Sequence, residues 1–306
     1  MDRSSTLNSH IKESPPTHVY HYTSPGGLIG ILKSKHIWAT NIRFLNDFKE
    51  LEEASDVASK VLNKMYKQKE YSKEKKLLNK MLKNIHIAAS RHYVCSFSED
   101  PDSLSQWRAY SPHTGGYALG IPSSQLTNLA TETGWYFIKC IYNESEKETI
   151  IREVIDSFIL EFRNQRKNRS YLIIEKNLDT FETKIALEFQ SFLAQIGGII
   201  KNKAFEEERE WRLISSVVIE NKKNEQDEYM IEFREGIGYA IPYFKFPLVT
   251  EKNPNLTKYN DEILRLTIGP TPQSKKEASH AAQFLLHRYL GVTIGHEHSI
   301  IPYKGW

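Results

Sequence analysis

The stretch Val19-Tyr20-His21-Tyr22-Thr23-Ser24-Pro25-Gly26-Gly27-Leu28-Ile29-Gly30-Ile31-Leu32 changes its pattern halfway along. A β-branched and aromatic run gives way to a Ser-Pro-Gly break and then to an apolar helical pattern, which predicts strand, turn and helix. His21 and Thr23, two apart, project to one face of such a strand. The helix start just beyond them offers unpaired backbone N–H groups and the positive end of a dipole, which suits a phosphate or an amide carbonyl. The later residues able to converge on this junction therefore decide its function.

Before the junction, residues 1–17 mix Ser, Pro, Lys and Asn without periodicity and read as a flexible tail. After it, Ile37-Trp38-Ala39-Thr40 reads as a second strand, and Asp47 with Glu50 has the form of a capping box opening a helix through Leu51, Ala54, Ala58, Val61 and Met65. A Lys-rich helical stretch runs to about Ser90, so a helical insertion is expected at about 47–91. His92 to Ser98 alternates as a strand, Pro101 fits the first turn of a helix carrying Trp107 and Tyr110 on one face, and Tyr117 to Ile121 and Gly134 to Tyr142 are strand-like. Two amphipathic helices follow, around residues 151–162 and 185–196, with a polar linker at Asn164 to Ser170. The last third holds strand-like runs at 210–219, 228–234, 239–246 and 263–268, then a helix at 278–289 and a short strand near 299–303. Irregularly interleaved strands and helices predict a single α+β domain over 18–306.

At 306 residues the chain can bury a large core without metal or disulfide. Cys95 and Cys140 sit in apolar strand-like runs and read as core residues in a reducing compartment. No apolar run approaches the roughly 18 residues of a membrane span, and a cytoplasmic location is expected. The net charge of +3 is unevenly spread: from Lys60 to Arg91, ten basic residues stand against Glu70 and Glu74, a local +8 that leaves −5 elsewhere. Such a face either attracts nucleic acid through counterion release or is a solvated helical surface.

Four clusters carry chemical potential: His21-Tyr22-Thr23; Ser96-Phe97-Ser98 with Trp107 and Tyr110; Phe205-Glu206-Glu207-Glu208-Arg209-Glu210-Trp211-Arg212; and His296-Glu297-His298. In the third, Glu208, Glu210 and Arg212 alternate to one strand face. Eleven histidines form no His-Glu-x-x-His and no evident ligand set, so no metal is expected. Nucleophile elbows and Walker or Rossmann phosphate loops are absent. A toxin-like nuclease has only His21 and His296 to draw on. The remaining set suits cleavage of the nicotinamide–ribose bond, in which a carboxylate stabilises an oxocarbenium-like centre, a strand His holds a ribose and an aromatic ring stacks on nicotinamide.

Tyr20-His21-Tyr22-Thr23, Phe44-Leu45-Asn46-Asp47-Phe48-Lys49-Glu50, Cys95-Ser96-Phe97-Ser98-Glu99, Trp107-Arg108-Ala109-Tyr110 and Glu208-Arg209-Glu210-Trp211-Arg212 resemble the bacterial family catalogued as a domain of unknown function, DUF 2971. The opening is also similar to that of DarT-like and other ADP-ribosyltransferases. That resemblance implies an ADP-ribosyltransferase-like split β-sheet with helical insertions, and NAD as substrate. It implies His21 and Thr23 in the first motif, Ser96 or Ser98 in the second and Glu210 as the catalytic glutamate. Taken with the four clusters, the expected catalytic groups are Glu210 and His21, and the expected cofactor-binding residues are His21, Tyr22, Thr23, Ser96, Ser98, Trp107, Tyr110 and Arg212. The resemblance further implies a macromolecular acceptor and a role in bacterial antiviral defence or as a toxin. Glu208 competes with Glu210 for the carboxylate role, and Glu210 has a structural alternative in an ion pair with Arg212. The rival function is a non-catalytic nucleotide or nucleic-acid binding module using the Lys60 to Arg91 face.

Overall fold

The computed structural model describes residues 14–45, 49–85, 91–111, 115–167, 178–216, 230–252, 254–259 and 262–302. In chain order, β1 (His18–Thr23), α1 (Pro25–Ser34) and β2 (His36–Asn41) are followed by α2 (Lys49–Tyr66) and α3 (Lys75–Lys83). Next come β3 (Tyr93–Ser98), α4 (Leu104–Tyr110), β4 (Tyr117–Pro122), α5 (Ser123–Thr133) and β5 (Tyr136–Lys139). Two long helices, α6 (Glu144–Lys167) and α7 (Leu178–Gly197), precede β6 (Glu210–Ile214), β7 (Ile231–Glu235) and β8 (Ala240–Pro247). The remaining elements are β9 (Lys258–Tyr259), β10 (Glu262–Ile263), β11 (Arg265–Ile268), α8 (Lys275–Leu290) and β12 (His296–His298).

The chain is a mixed α+β protein that packs as two compact units. One holds the helices α2, α3, α6 and α7, drawn from Ile42–His92 and Cys140–Phe205; the other holds the β-structure, drawn from Ser14–Asn41, Tyr93–Lys139 and Glu206–Trp306. In the helical unit, Ala58, Val61 and Met65 of α2, Leu77 and Met81 of α3, Val154, Phe158 and Phe162 of α6, and Phe189 of α7 are buried at helical spacing. Lys147, fully buried at the start of α6, is held by Glu53 and, at 2.7 Å, by Glu144. No helix among the described residues is long and apolar enough to cross a membrane.

The β-unit is built on a ten-stranded sheet in the order β12-β11-β4-β1-β3-β2-β8-β7, to which β6 attaches through β3 and β5 through β6. All pairings are antiparallel except β11 with β12. Strand β3 forks the sheet. One of its edges pairs with β6 from Val94↔Ile214 to Ser98↔Glu210. Its other edge is divided: Ser98 faces Tyr20 of β1, while Tyr93 and Val94 face Asn41 and Thr40 of β2. Among the described residues, Cys95, Ser96 and Phe97 therefore have no strand partner on that second edge.

Side chains alternate between the faces of the sheet. Val19, Cys95, Phe97, Leu119, Trp211 and Leu213 enter the main core, where Leu28 and Leu32 of α1, Leu126 of α5 and Leu286 of α8 cover them. Tyr20, Tyr22 and Ala118 form a smaller cluster with Trp107 on the opposite face. The predicted strand-turn-helix is present: Pro25 occupies the first helical position, the Ser24 hydroxyl accepts the Gly27 N–H at 3.1 Å, and Lys35 ends the helix in the left-handed region at φ 57°.

Several local expectations shift. Pro101 precedes α4, whose N-terminal flank is Ser103, because the acidic residues there fold into a turn. The run at Gly134 to Tyr142 keeps only Tyr136–Lys139 as strand, the segment around 164–167 continues α6, and the last strand falls at His296–His298, earlier than 299–303. The helical segment 49–83, within the insertion expected at about 47–91, groups with α6 and α7. The tail through residue 13, Asn46 and Asp47 of the capping box, residues 86–90, 168–170 and 217–229, and Tyr303 lie outside the described residues.

Glycines report how tightly the β-unit is packed. A Cβ on Gly269 would lie 2.7 Å from the fully buried Trp107 ring, whereas one on Gly30, in α1, would meet nothing within 4 Å. Gly269→Ala is expected to destabilise the β-unit by about 1–3 kcal/mol through overpacking. Gly30→Ala is expected to stabilise by about 0.5–1 kcal/mol through helix propensity. Thermal melts of the two variants check this; equal melting temperatures would contradict the packing described.

Candidate functional site

The predicted site residues all belong to the β-unit; those on β3 and β6, Ser96, Ser98, Glu210 and Arg212, lie at the fork, beside which β1 carries His21. His21 Nδ1 lies 3.0 Å from the Ser96 carbonyl oxygen, on the edge that neither β1 nor β2 pairs. Facing an acceptor, Nδ1 carries the proton and donates, so Nε2 of the neutral ring is the bare acceptor. Cys95 Sγ is 3.8 Å from Nδ1 and the Phe97 ring is 5.7 Å away, which places the imidazole on the main-core face. Burial lowers the His21 pKa below its ordinary 6.5, and the Ser96 carbonyl works against that shift. Cys95 is a free, buried thiol raised well above its usual range, first by burial and then by the nearby Glu210 carboxylate.

Glu210 and Arg212 sit two apart on β6, opposite Ser98 and Ser96. Their side chains are almost fully buried and meet bidentately: Nε donates to Oε1 at 2.7 Å and a terminal nitrogen donates to Oε2 at 3.0 Å. The structural alternative for Glu210, an ion pair with Arg212, is thus present. By register, Tyr20, Ser96, Ser98, Glu210 and Arg212 project from one face of the sheet, and His21 and Thr23 from the other. The two expected catalytic groups share the fork but not a face.

Several expected ligand-binding groups spend their polar capacity internally. Tyr22 donates to the Asp100 carbonyl at 2.7 Å and accepts the Ser103 N–H at 2.8 Å, and burial pushes its hydroxyl far up in pKa. Ser98 donates to the Glu208 carbonyl at 2.8 Å and accepts the Asp100 N–H at 3.1 Å. Trp107 is fully buried, donates to Asp102 Oδ1 at 2.7 Å and meets the Tyr22 ring edge-on at 4.5 Å. Tyr110, one turn on, is exposed. Thr23 packs against α1, where its hydroxyl fills the space a Gly27 Cβ would need.

The loop Glu99 to Ser103 supplies what sequence reading missed. Glu99 accepts the Trp211 indole N–H at 2.9 Å and pairs with Lys139 at 3.0 Å. Asp100 pairs with Arg209 at 3.1 Å, and Asp102 also accepts the Ile300 N–H at 2.9 Å. Arg209 stands at φ 42°, a left-handed conformation for a side chain with a Cβ, immediately before Glu210. The signal was Glu-Asp-Pro-Asp-Ser, a string that turns and caps as readily as it opens a helix.

The other candidate features are largely engaged elsewhere. In the helical unit, Lys60 and Lys64 pair with Glu148 at 2.5 and 2.7 Å, and Lys76 and Lys80 with Glu182 at 3.5 and 3.6 Å. This offsets part of the basic face. His298 Nε2 lies 2.7 Å from the Ser279 hydroxyl. His296 is on β12, three strands from β1, so it does not join His21. Among the described residues no three His, Cys, Asp or Glu side chains are grouped to hold a metal.

Fold and site together define an α+β protein with a forked, mixed sheet and a buried carboxylate–guanidinium pair beside the fork. Residues 106–213, from α4 to β6, match the model of the family described as "Protein of unknown function (DUF2971)", which bears out that resemblance. Neither a curated protein nor a solved structure gives a significant match.

The buried pair implies a double-mutant signature. Arg212→Met or Glu210→Met alone removes the bidentate contact from a buried charge and is expected to cost about 3–5 kcal/mol, whereas the double variant costs much less than the sum. Chemical denaturation reads the cycle, and additivity would count against the pair. The lowered His21 pKa has a sign of its own. The unfolded chain takes up a proton near pH 6.5 that the folded ring takes up only at lower pH, so stability falls as pH drops below about 6.5. Melts from pH 8 to 5 should show this slope, partly flattened in His21→Gln.

Proposed function

We propose that this chain uses NAD as a substrate, either transferring ADP-ribose to a macromolecule or hydrolysing the nicotinamide–ribose bond. In this reading the forked sheet is the split sheet of an ADP-ribosyltransferase-like fold. The observation that carries it is the fork itself: the unpaired edge at Cys95 to Phe97, with His21 hydrogen-bonded to the Ser96 carbonyl and Glu210 opposite Ser98. Because His21 and Glu210 project from opposite faces, a ligand engaging both enters where β1 and β2 part.

His21 Nε2, an acceptor in the neutral ring, takes a ribose hydroxyl, and the α1 N-terminus beside Thr23 favours the pyrophosphate. The C–N bond to nicotinamide breaks with its electron pair leaving on the neutral base. The Glu210 carboxylate, oriented by Arg212, stabilises the positive ribose carbon. Water or an acceptor hydroxyl then forms the new C–O bond and releases its proton to solvent. A place in bacterial antiviral defence, or among toxins, would fit depletion of NAD or marking of a macromolecule.

The test is nicotinamide release from NAD by the purified full chain, followed by chromatography. Wild type is expected to release nicotinamide, and Glu210→Gln to lose it by about 100-fold or more. Glutamine leaves Arg212 without its charge partner, so Glu210→Gln/Arg212→Gln serves as the folded control, checked by circular dichroism. Release retained in a folded Glu210→Gln variant, or no NAD turnover or binding by wild type, rejects the proposal.

A further inference from the structure

A polar recess of about 680 Å³ opens on the far side of β1 from β3, lined from β1, β10, β11 and β12. Its floor depends on Gly120. A Cβ there would lie 2.7 Å from the Tyr20 ring and 3.0 Å from Arg265 Cβ, so the bare glycine lets the Tyr20 ring lie across β4 beside Arg265.

Two side chains in this recess are built for a ligand. His18 is only 6% exposed, and its Nε2 lies 2.8 Å from the Ile263 carbonyl, to which it donates. Nδ1 is then an acceptor, and it is buried without a hydrogen-bond partner among the described residues. Burial lowers the His18 pKa; the Ile263 hydrogen bond and the Glu262 charge work against that and the Arg265 charge adds to it, with a net lowering that favours the neutral ring. Arg265 is exposed and makes no ion pair among the described residues, so its guanidinium is available for a carboxylate.

The charge balance narrows the class of ligand. Among the described residues, Glu262 and Glu297 line the recess with Arg265 as the single Lys or Arg, and Glu262 already accepts the Ser124 hydroxyl at 2.5 Å. A phosphate dianion would add to an existing excess of negative charge. A ligand carrying its own ammonium beside a carboxylate would not. We infer that this recess binds a free amino acid: Arg265 takes the carboxylate, His18 Nδ1 and Glu297 accept the ammonium, and Ile263 and Ile294 face the side chain.

Isothermal titration of the full chain with each common L-amino acid, and with acetate and inorganic phosphate as anion controls, tests the assignment. One or more amino acids should bind with Kd of about 1 mM or tighter. Arg265→Ala, at an exposed position, should weaken that binding about tenfold or more with an unchanged circular dichroism spectrum. If Arg265→Ala fails to fold, Arg265→Lys should show the same loss, since it keeps the charge but not the planar fork. Binding by no amino acid, equal binding of acetate or phosphate, or unchanged affinity in a folded Arg265 variant would each overturn the assignment.

Discussion

The β-unit depends on the way β3 divides its hydrogen bonds. A strand has two edges, and antiparallel pairing normally gives each edge to one neighbour. Here β6 takes one edge along five residues, while β1 and β2 share the other at opposite ends. The span between them cannot be left bare, because a buried carbonyl without a partner costs about 1–3 kcal/mol. His21 meets that demand at Ser96, so a side chain replaces a strand where the sheet opens. The histidine is thus a structural plug that carries a polar ring at the unpaired span.

The two faces of this sheet follow different physics. The face carrying Val19, Cys95, Phe97, Trp211 and Leu213 is closed by helices through apolar contact. The other carries Ser96, Ser98, Glu210 and Arg212, three of them more than nine-tenths buried. Burying an ion pair there is not a cheap source of stability, since desolvation of both charges offsets most of their attraction. A bidentate pair does fix geometry: a planar guanidinium accepts one orientation of the carboxylate. The left-handed Arg209 and the loop held by Glu99, Asp100 and Asp102 aim the same short segment.

Much of the architecture was legible locally. Period-2 alternation marked β3 and β6, strand-like runs marked β1, β2 and β4, and 3–4 spacing marked α2, α6 and α7. Turn chemistry was less legible, as Pro101 shows, because acidic residues beside a proline cap a turn as well as a helix. The candidate site was legible as a set of residues and illegible as an arrangement. His21, Ser98 and Glu210 belong to strands of one sheet, but Tyr22, Ser98 and Trp107 are occupied in bonding within Glu99 to Ser103 and to the Glu208 carbonyl. Spacing along the chain names which side chains are polar but not which of them another part of the chain has already satisfied.

The sequence by itself determined the strand-turn-helix at the start, because the Ser-Pro-Gly break and the change of period are local; the structure adds that Ser24 caps the helix and Pro25 opens it. The sequence also determined that Glu210 and Arg212 share a face, since they lie two apart on one strand. Only the tertiary structure decided that His21 projects from the opposite face and that β3 forks between β1 and β2. The reason is register: one residue of slip inverts every side chain of a strand, and that choice is made by strands more than fifty residues apart, through a core no local pattern contains.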